Sequence, residues 1–228
     1  MRAAVILIGA SGGIGQELCK NLLAEGCQVL AISRTNPCIV AAVNYKWLEL
    51  DITLAGAGEA ILKAASFFEG AELRILIHNA GYLSRNSFAS MPDEELERMA
   101  AVNYKAPFYI TRALIRWLQD ALVAHTIYIG SMSGYQGSRK YSGLTAYSAS
   151  KAAGSALIEC LAAEFDGSNM YFNVLSLGSV KTAMLEKAFP GQDGADSRQI
   201  SSFIAEFSLR GWRFFNGKVL PVTQGDPL

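Results

Sequence analysis

Residues 3–18 read AAVILIGASGGIGQEL, and this stretch decides the fold. Ala3–Ile8 is an apolar run without alternation, as expected of a strand covered on both faces. Gly9, Gly13 and Gly15 follow at once, and Ile14, Leu18, Leu22 and Leu23 then repeat at helical spacing up to Gly26. Strand, glycine-rich turn and helix in that order bring free backbone N–H groups and the positive end of a helix dipole to one point. Glycines allow the tight turn and let the backbone approach a pyrophosphate. The pattern reads as a dinucleotide-binding unit, against an ordinary loop as the alternative.

Further strands are expected at Gln28–Ser33, Trp47–Leu50, Leu73–His78, Thr126–Ile129, Tyr171–Leu177 and Lys218–Val222. Helical patterns lie between them: Ile61, Leu62, Ala65 and Phe68; a long region from near Pro92 to about Leu118 with a kink at Pro107; and about Ala146 to Phe165. Residues 179–216 look least regular. The alternation points to an α/β fold, a three-layer doubly wound Rossmann architecture with a mainly parallel sheet of about seven strands. With 228 residues, 51% of them hydrophobic, residues 1–228 suit one domain.

Twenty Lys and Arg balance twenty Asp and Glu, and no basic stripe invites nucleic acid or an anionic membrane. The longest apolar stretches fall well short of the ~20 residues that cross a bilayer, so a cytoplasmic protein is expected. Cys19, Cys27, Cys38 and Cys160 share no metal-ligand spacing with the two histidines, so free thiols and no metal are expected. That leaves a small molecule, or a second copy of the chain, as the partner.

The second strand ends in Ser33-Arg34, where an acid would favour the ribose hydroxyls of NAD. A guanidinium suits a 2′-phosphate instead, so NADP(H) is favoured over NAD(H), with a solvated surface arginine as the duller possibility. Asp51 follows the third strand and could bond the adenine amino group or cap a turn.

Gly9-x-x-x-Gly13-x-Gly15, Asn79-Ala80-Gly81, Asn103, Ser131, Tyr147-x-x-x-Lys151 and Gly178-Ser179-Val180-Lys181-Thr182 occur in the order and approximate spacing of the short-chain dehydrogenase/reductase family, which the chain resembles along essentially its whole length. On a helix, Tyr147 and Lys151 share a face roughly 6 Å apart in rise. A free tyrosine with a pKa near ~10 is a poor acid at neutral pH, and a nearby ammonium is expected to lower it. Ser131 would donate to an oxygen gaining negative charge; Ser133 is its rival, and a turn hydroxyl is the dull alternative. The resemblance implies that Asn103 supports Lys151 through a water, that Asn79-Ala80-Gly81 shapes the cofactor cleft, and that Thr182 contacts the nicotinamide half. It implies cofactor contacts from Ser11, Gly12, Ile14, Ile52, Gly178 and Val180 as well, and a homodimer or homotetramer.

The resemblance implies an oxidoreductase that acts on a small-molecule carbonyl or alcohol. A non-catalytic NADPH-binding sensor and an epimerase or dehydratase on the same scaffold are the other readings. Four positions depart from the family pattern. Ile8 stands where a Thr is usual, and Leu177-Gly178 replaces Pro-Gly. The interval from Ser131 to Tyr147, 16 residues, looks extended around Ser138-Arg139-Lys140-Tyr141. That basic, aromatic loop could meet an anionic substrate or simply be solvated. The stretch from Gly178 to the last strand is short, which leaves the cover of the substrate pocket open.

Overall fold

In the computed structural model, which describes residues 2–39 and 42–223, the apolar runs form a single all-parallel sheet. Residues 1, 40, 41 and 224–228, part of the expected domain over 1–228, lie outside the described residues. The strands are β1 (Ala3–Ile8), β2 (Gln28–Ser33), β3 (Tyr45–Glu49), β4 (Leu73–His78), β5 (Val123–Ser131), β6 (Met170–Leu177) and β7 (Lys218–Val222). Their order across the sheet is β3-β2-β1-β4-β5-β6-β7. The helices are α1 (Ile14–Ala24), α2 (Ala57–Ala64), α3 (Asp93–Ala100), α4 (Ala106–Gln119), α5 (Thr145–Glu164), α6 (Ala183–Ala188) and α7 (Ser197–Arg210).

β1 shows why its sequence lacks alternation. Val5 and Leu7 face one core layer with Leu18 and Leu22 of α1 and Ile204 and Phe207 of α7. Ile6 and Ile8 face the other, with Ile61 of α2, Ile110 and Leu114 of α4 and Ile158 of α5. Both sheet faces are covered, so every position is apolar. β1 lies between β2 and β4, where the strand order reverses, and the crevice beyond the carboxyl ends of such strands is where doubly wound sheets bind ligands. Ile8 is paired with both Ile32 and His78, so Gly9, Ser33 and Asn79 emerge side by side at that crevice.

Three local expectations are corrected. β5 begins at Val123, three residues before the expected start, and includes His125. That polar residue is buried because its ring is satisfied, Nδ1 by the Ser208 carbonyl at 3.0 Å and Nε2 by the Asn173 amide at 3.1 Å. Within residues 179–216, expected to be irregular, α7 packs Ile204 and Phe207 against the core layer of α1. Its buried serines hid the stripe; Ser201 accepts from Asn21 of α1 at 3.0 Å and Ser208 donates to the Ile204 carbonyl at 2.6 Å. The third correction concerns Pro107. It sits in the first turn of α4, where a missing N–H is harmless. The irregularity lies upstream, in a π-helical turn over Ala101–Lys105.

Among the described residues no helix is long and apolar enough to cross a membrane. The four cysteines are free, Cys19 and Cys27 buried, and burial pushes their thiols up to about 12 and about 11.

Candidate active site

The glycine turn is locked to the sheet by backbone. Gly9 and Ala10 donate to the Ile32 carbonyl, while Asn79 and Ala80 donate to that of Ile8. The Asn79 side chain donates to the Gly9 carbonyl at 2.7 Å, a tie that does not need the hydroxyl that Ile8 lacks. Gly9 has φ +91°, and a Cβ there would lie 2.5 Å from the Ala80 nitrogen. A Cβ on Gly15 would lie 2.0 Å from the Gly9 carbonyl oxygen, so α1 can start this close to the turn only with glycine. Above Gly12, by contrast, a Cβ would meet nothing within 4 Å. No side chain caps the start of α1. Open space at the uncapped start of a helix is a cradle that fits the pyrophosphate of a dinucleotide.

Two adjoining cavities flank this cradle, sharing Gly12, Asn79, Gly81 and Met184. One, of about 610 Å³, is lined by Gly9, Ser11, Ser33, Arg34, Asp51, Ile52 and Ala80. Ser33 is buried, donating to the Thr35 carbonyl at 2.7 Å and accepting from the Trp47 indole at 3.1 Å. Arg34 makes no hydrogen bond or ion pair among the described residues. Asp51 caps a turn, accepting from the Thr53 amide and hydroxyl at 2.9 and 2.7 Å. Those bonds, then the Arg34 and Arg98 cations, hold its carboxyl below the usual range. Arg98 lines the same cavity from α3, its guanidinium 4.3 Å from the Tyr82 ring centroid. Sequence reasoning missed it, because nothing in α3's spacing tells that this face borders the cavity at the end of β2.

The second cavity, of about 640 Å³, is lined by Gly13, Ile14, Ser131, Tyr147, Lys151, Gly178, Val180 and Thr182. The Ser131 hydroxyl accepts from the Ser133 amide at 3.1 Å and lines the same cavity as the Tyr147 hydroxyl, whose pKa it lowers. Its rival Ser133 instead pairs with Ser148, hydroxyl to hydroxyl, at 2.5 Å. Burial raises the Tyr147 hydroxyl above its ordinary range, opposed by the Ser131 bond. This corrects the expected lowering by Lys151. The lysine is buried too, pushed down to about 7, so its charge is itself in the balance at neutral pH. Its ammonium donates to the Ile129 carbonyl at 2.8 Å and sits 4.9 Å from the Tyr128 ring centroid.

Gly15 and Asn103 line neither cavity. Asn103 is fully buried in the π-helical turn. Its side chain brackets Tyr82, accepting from the amide at 2.9 Å and donating to the carbonyl at 2.8 Å, and donates to the Ser150 hydroxyl at 2.9 Å. A Cβ on Gly81 would lie 3.4 Å from the Lys151 ammonium and 3.7 Å from Asn103 Oδ1, so this glycine keeps open a space that both groups border.

The short segment after β6 supplies part of the cavity wall. Thr182 caps α6, accepting from the Leu185 amide at 3.2 Å, and Met184, Leu185 and Phe189 contribute to the wall. Leu177, where the family has proline, ends β6 paired with Ser131 and Val222. Among the described residues no group of three or more His, Cys, Asp or Glu is placed to hold a metal.

Residues 3–193 match the family described as short chain dehydrogenase. The chain is 29% identical over 184 residues to the 3-oxoacyl-[acyl-carrier-protein] reductase of Escherichia coli strain K12, covering 78% of this chain and 74% of that one. Its fold is similar to that of the 3-ketoacyl-(acyl-carrier-protein) reductase of Brucella melitensis complexed with NADH, with a TM-score of 0.86, 21% identity and coverage of 100% and 98%. A short chain dehydrogenase of Shigella flexneri complexed with NADP is similar at a TM-score of 0.85, 22% identity and coverage of 96% of both chains.

Proposed function

The chain belongs to the short-chain dehydrogenase family of NAD(P)-dependent oxidoreductases, and on that premise we propose that it reduces the carbonyl of a small molecule with NADPH. The observation that carries this reading is the placement of Ser131, Tyr147 and Lys151 around one cavity that opens onto the glycine cradle. The bound dinucleotide supplies the hydride for the carbonyl carbon. Ser131 donates a hydrogen bond to the oxygen as its charge grows. Tyr147, kept protonated by burial, is the general acid that delivers the proton. Lys151 holds the ribose side of the cleft, and a cation there eases the loss of the Tyr147 proton. Asn103 fixes the segment at Tyr82 that borders the lysine.

Preference for NADPH rests on Arg34, with Arg98 as a second cation in the same cavity. A 3-oxoacyl thioester is the first carbonyl to test, since the Escherichia coli relative is named for that reduction. A homo-oligomer is supported by the exposed Tyr104, Phe108 and Tyr109 at the π-turn and α4.

The deciding assay follows loss of reduced dinucleotide against ketones, quinones, aldehydes and 3-oxoacyl thioesters, for wild type and Tyr147→Phe. Turnover with NADPH that disappears in Tyr147→Phe is the expected result. Tight NADPH binding with no turnover on any carbonyl would leave a non-catalytic binding module.

A further inference from the structure

The cavity around Tyr147 has a charge pattern that carbonyl reduction alone does not require. Much of its wall is apolar, including Leu83, Met132, Leu144 and Phe189. Among the described residues only two charged side chains line it, Lys151 and Arg139, and both are cations. Lys151 already donates to the Ile129 carbonyl. Arg139 makes no hydrogen bond or ion pair among the described residues.

The neighbours of Arg139 fix how it is presented. Ser138 is buried, its hydroxyl bonded to the carbonyls of Met132 and Tyr135. Lys140 turns its ammonium onto the Ser133 carbonyl at 2.9 Å, the Tyr135 carbonyl at 2.7 Å and the Ser138 hydroxyl at 3.0 Å. These bonds tie the segment to the end of β5, and Arg139 stands between two tied residues. Its guanidinium lies 5.4 Å from the Tyr141 ring centroid, a contact that restrains its orientation without using its N–H donors.

We propose that Arg139 is the specificity-determining residue for an anionic group on the substrate, so that the preferred substrates are small carbonyl compounds that also carry a carboxylate or phosphate. The proposal rests on the carbonyl-reductase reading above. A guanidinium pairs with such anions through two parallel charge-assisted hydrogen bonds. A cavity whose charged lining residues are cations also concentrates anions.

The test measures NADPH-dependent reduction of oxo acids from 2-oxopropanoate to 6-oxoheptanoate, their methyl esters and the matching oxoalkyl phosphates, by wild type and Arg139→Gln. Wild type should prefer an anion over its ester, and Arg139→Gln should raise KM for that anion about tenfold or more, leaving kcat and the ester nearly unmoved. Whether carboxylate or phosphate loses more identifies the anion. Esters used as well as anions, with no change in Arg139→Gln, would overturn the proposal and leave the reductase standing. Should no carbonyl turn over, titration of pentanoate and of pentyl phosphate into NADPH-saturated protein reads the site without chemistry. Binding of either anion that Arg139→Gln abolishes supports the site; absent or unchanged binding overturns it.

Discussion

The Tyr128 hydroxyl, at the centre of β5, donates to the main-chain carbonyl of Asn103 at 2.8 Å. That carbonyl belongs to the π-helical turn Ala101–Lys105, where the helical ladder is interrupted. Gly154 of α5 makes room: a Cβ there would lie 2.5 Å from the Tyr128 oxygen and 2.7 Å from the Asn103 carbonyl oxygen. The face of the same ring supports the Lys151 ammonium. One buried side chain thus holds both the Asn103 turn and the lysine, which makes it a positioning residue.

Two substitutions separate these roles. Tyr128→Phe removes this buried hydrogen bond and should cost about 1 kcal/mol, read by urea unfolding. It keeps the ring, so the pH–rate profile should hold. Tyr128→Leu removes the cation–π contact that favours the charged lysine, so the Lys151 pKa should fall below about 7 and its limb of the profile should move to lower pH. Identical profiles for Tyr128→Leu and wild type would refute the assignment.

Gly15→Ala and Gly12→Ala should part company. A methyl on Gly15 would press on the Gly9 carbonyl and lie 2.8 Å from Asn79 Nδ2, so the turn must move. We expect a loss of about 1–3 kcal/mol in stability together with weaker NADPH binding. On Gly12 a methyl meets no protein atom within 4 Å but enters the cradle. Its melting temperature should be unchanged while the NADPH Kd rises. Titration and thermal unfolding of both variants check the contrast.

How far these features were legible depends on how local their causes are. The strand Ala3–Ile8 and its turn announce themselves because the steric demands on Gly9 and Gly15 arise within a few residues and from one neighbouring strand end. Tyr147 and Lys151 declare their shared face by spacing alone. The tyrosine's protonation was not legible, because spacing carries no information on depth and burial is the first influence on both pKa values. α7 was hidden because Ser201 and Ser208 look polar until Asn21 and the Ile204 carbonyl are seen to satisfy them. Arg98 and Tyr128 act across the fold on groups distant in sequence. On sequence alone, one is a surface cation on an acidic helix and the other an ordinary core aromatic.

Arg34→Asp should reverse coenzyme choice. The Ser33 hydroxyl is already engaged by Thr35 and Trp47, so little of the discrimination can rest on it. Replacing the free guanidinium with a carboxylate removes a phosphate partner and adds repulsion, so kcat/KM with NADPH should fall about 10- to 100-fold while NADH is held or improved. Arg98→Ala should weaken NADPH further, because its cation faces the same cavity. An unchanged NADPH to NADH ratio in Arg34→Asp would remove the basis for preferring NADPH.

Acid sensitivity should trace to His125. Its Nδ1 hydrogen faces the Ser208 carbonyl and its bare Nε2 accepts from Asn173, so the buried ring is held neutral and a second proton would break the Asn173 bond. Burial pushes its pKa down to about 4 from an ordinary 6.5. Between those values the unfolded chain binds more protons than the folded one, so stability rises with pH across the window. The contribution is complete above about pH 6.5 and lost as pH falls through about 4, amounting to about 3 kcal/mol. Buried His78, pushed down to about 3, adds a parallel loss that extends to lower pH. His125→Asn removes one titration and leaves the other. Its stability deficit, measured by urea unfolding, should therefore shrink by about 2–3 kcal/mol between pH 7 and pH 4.5. A deficit that stays constant over that range would mean that His125 already takes up its proton while the protein is folded.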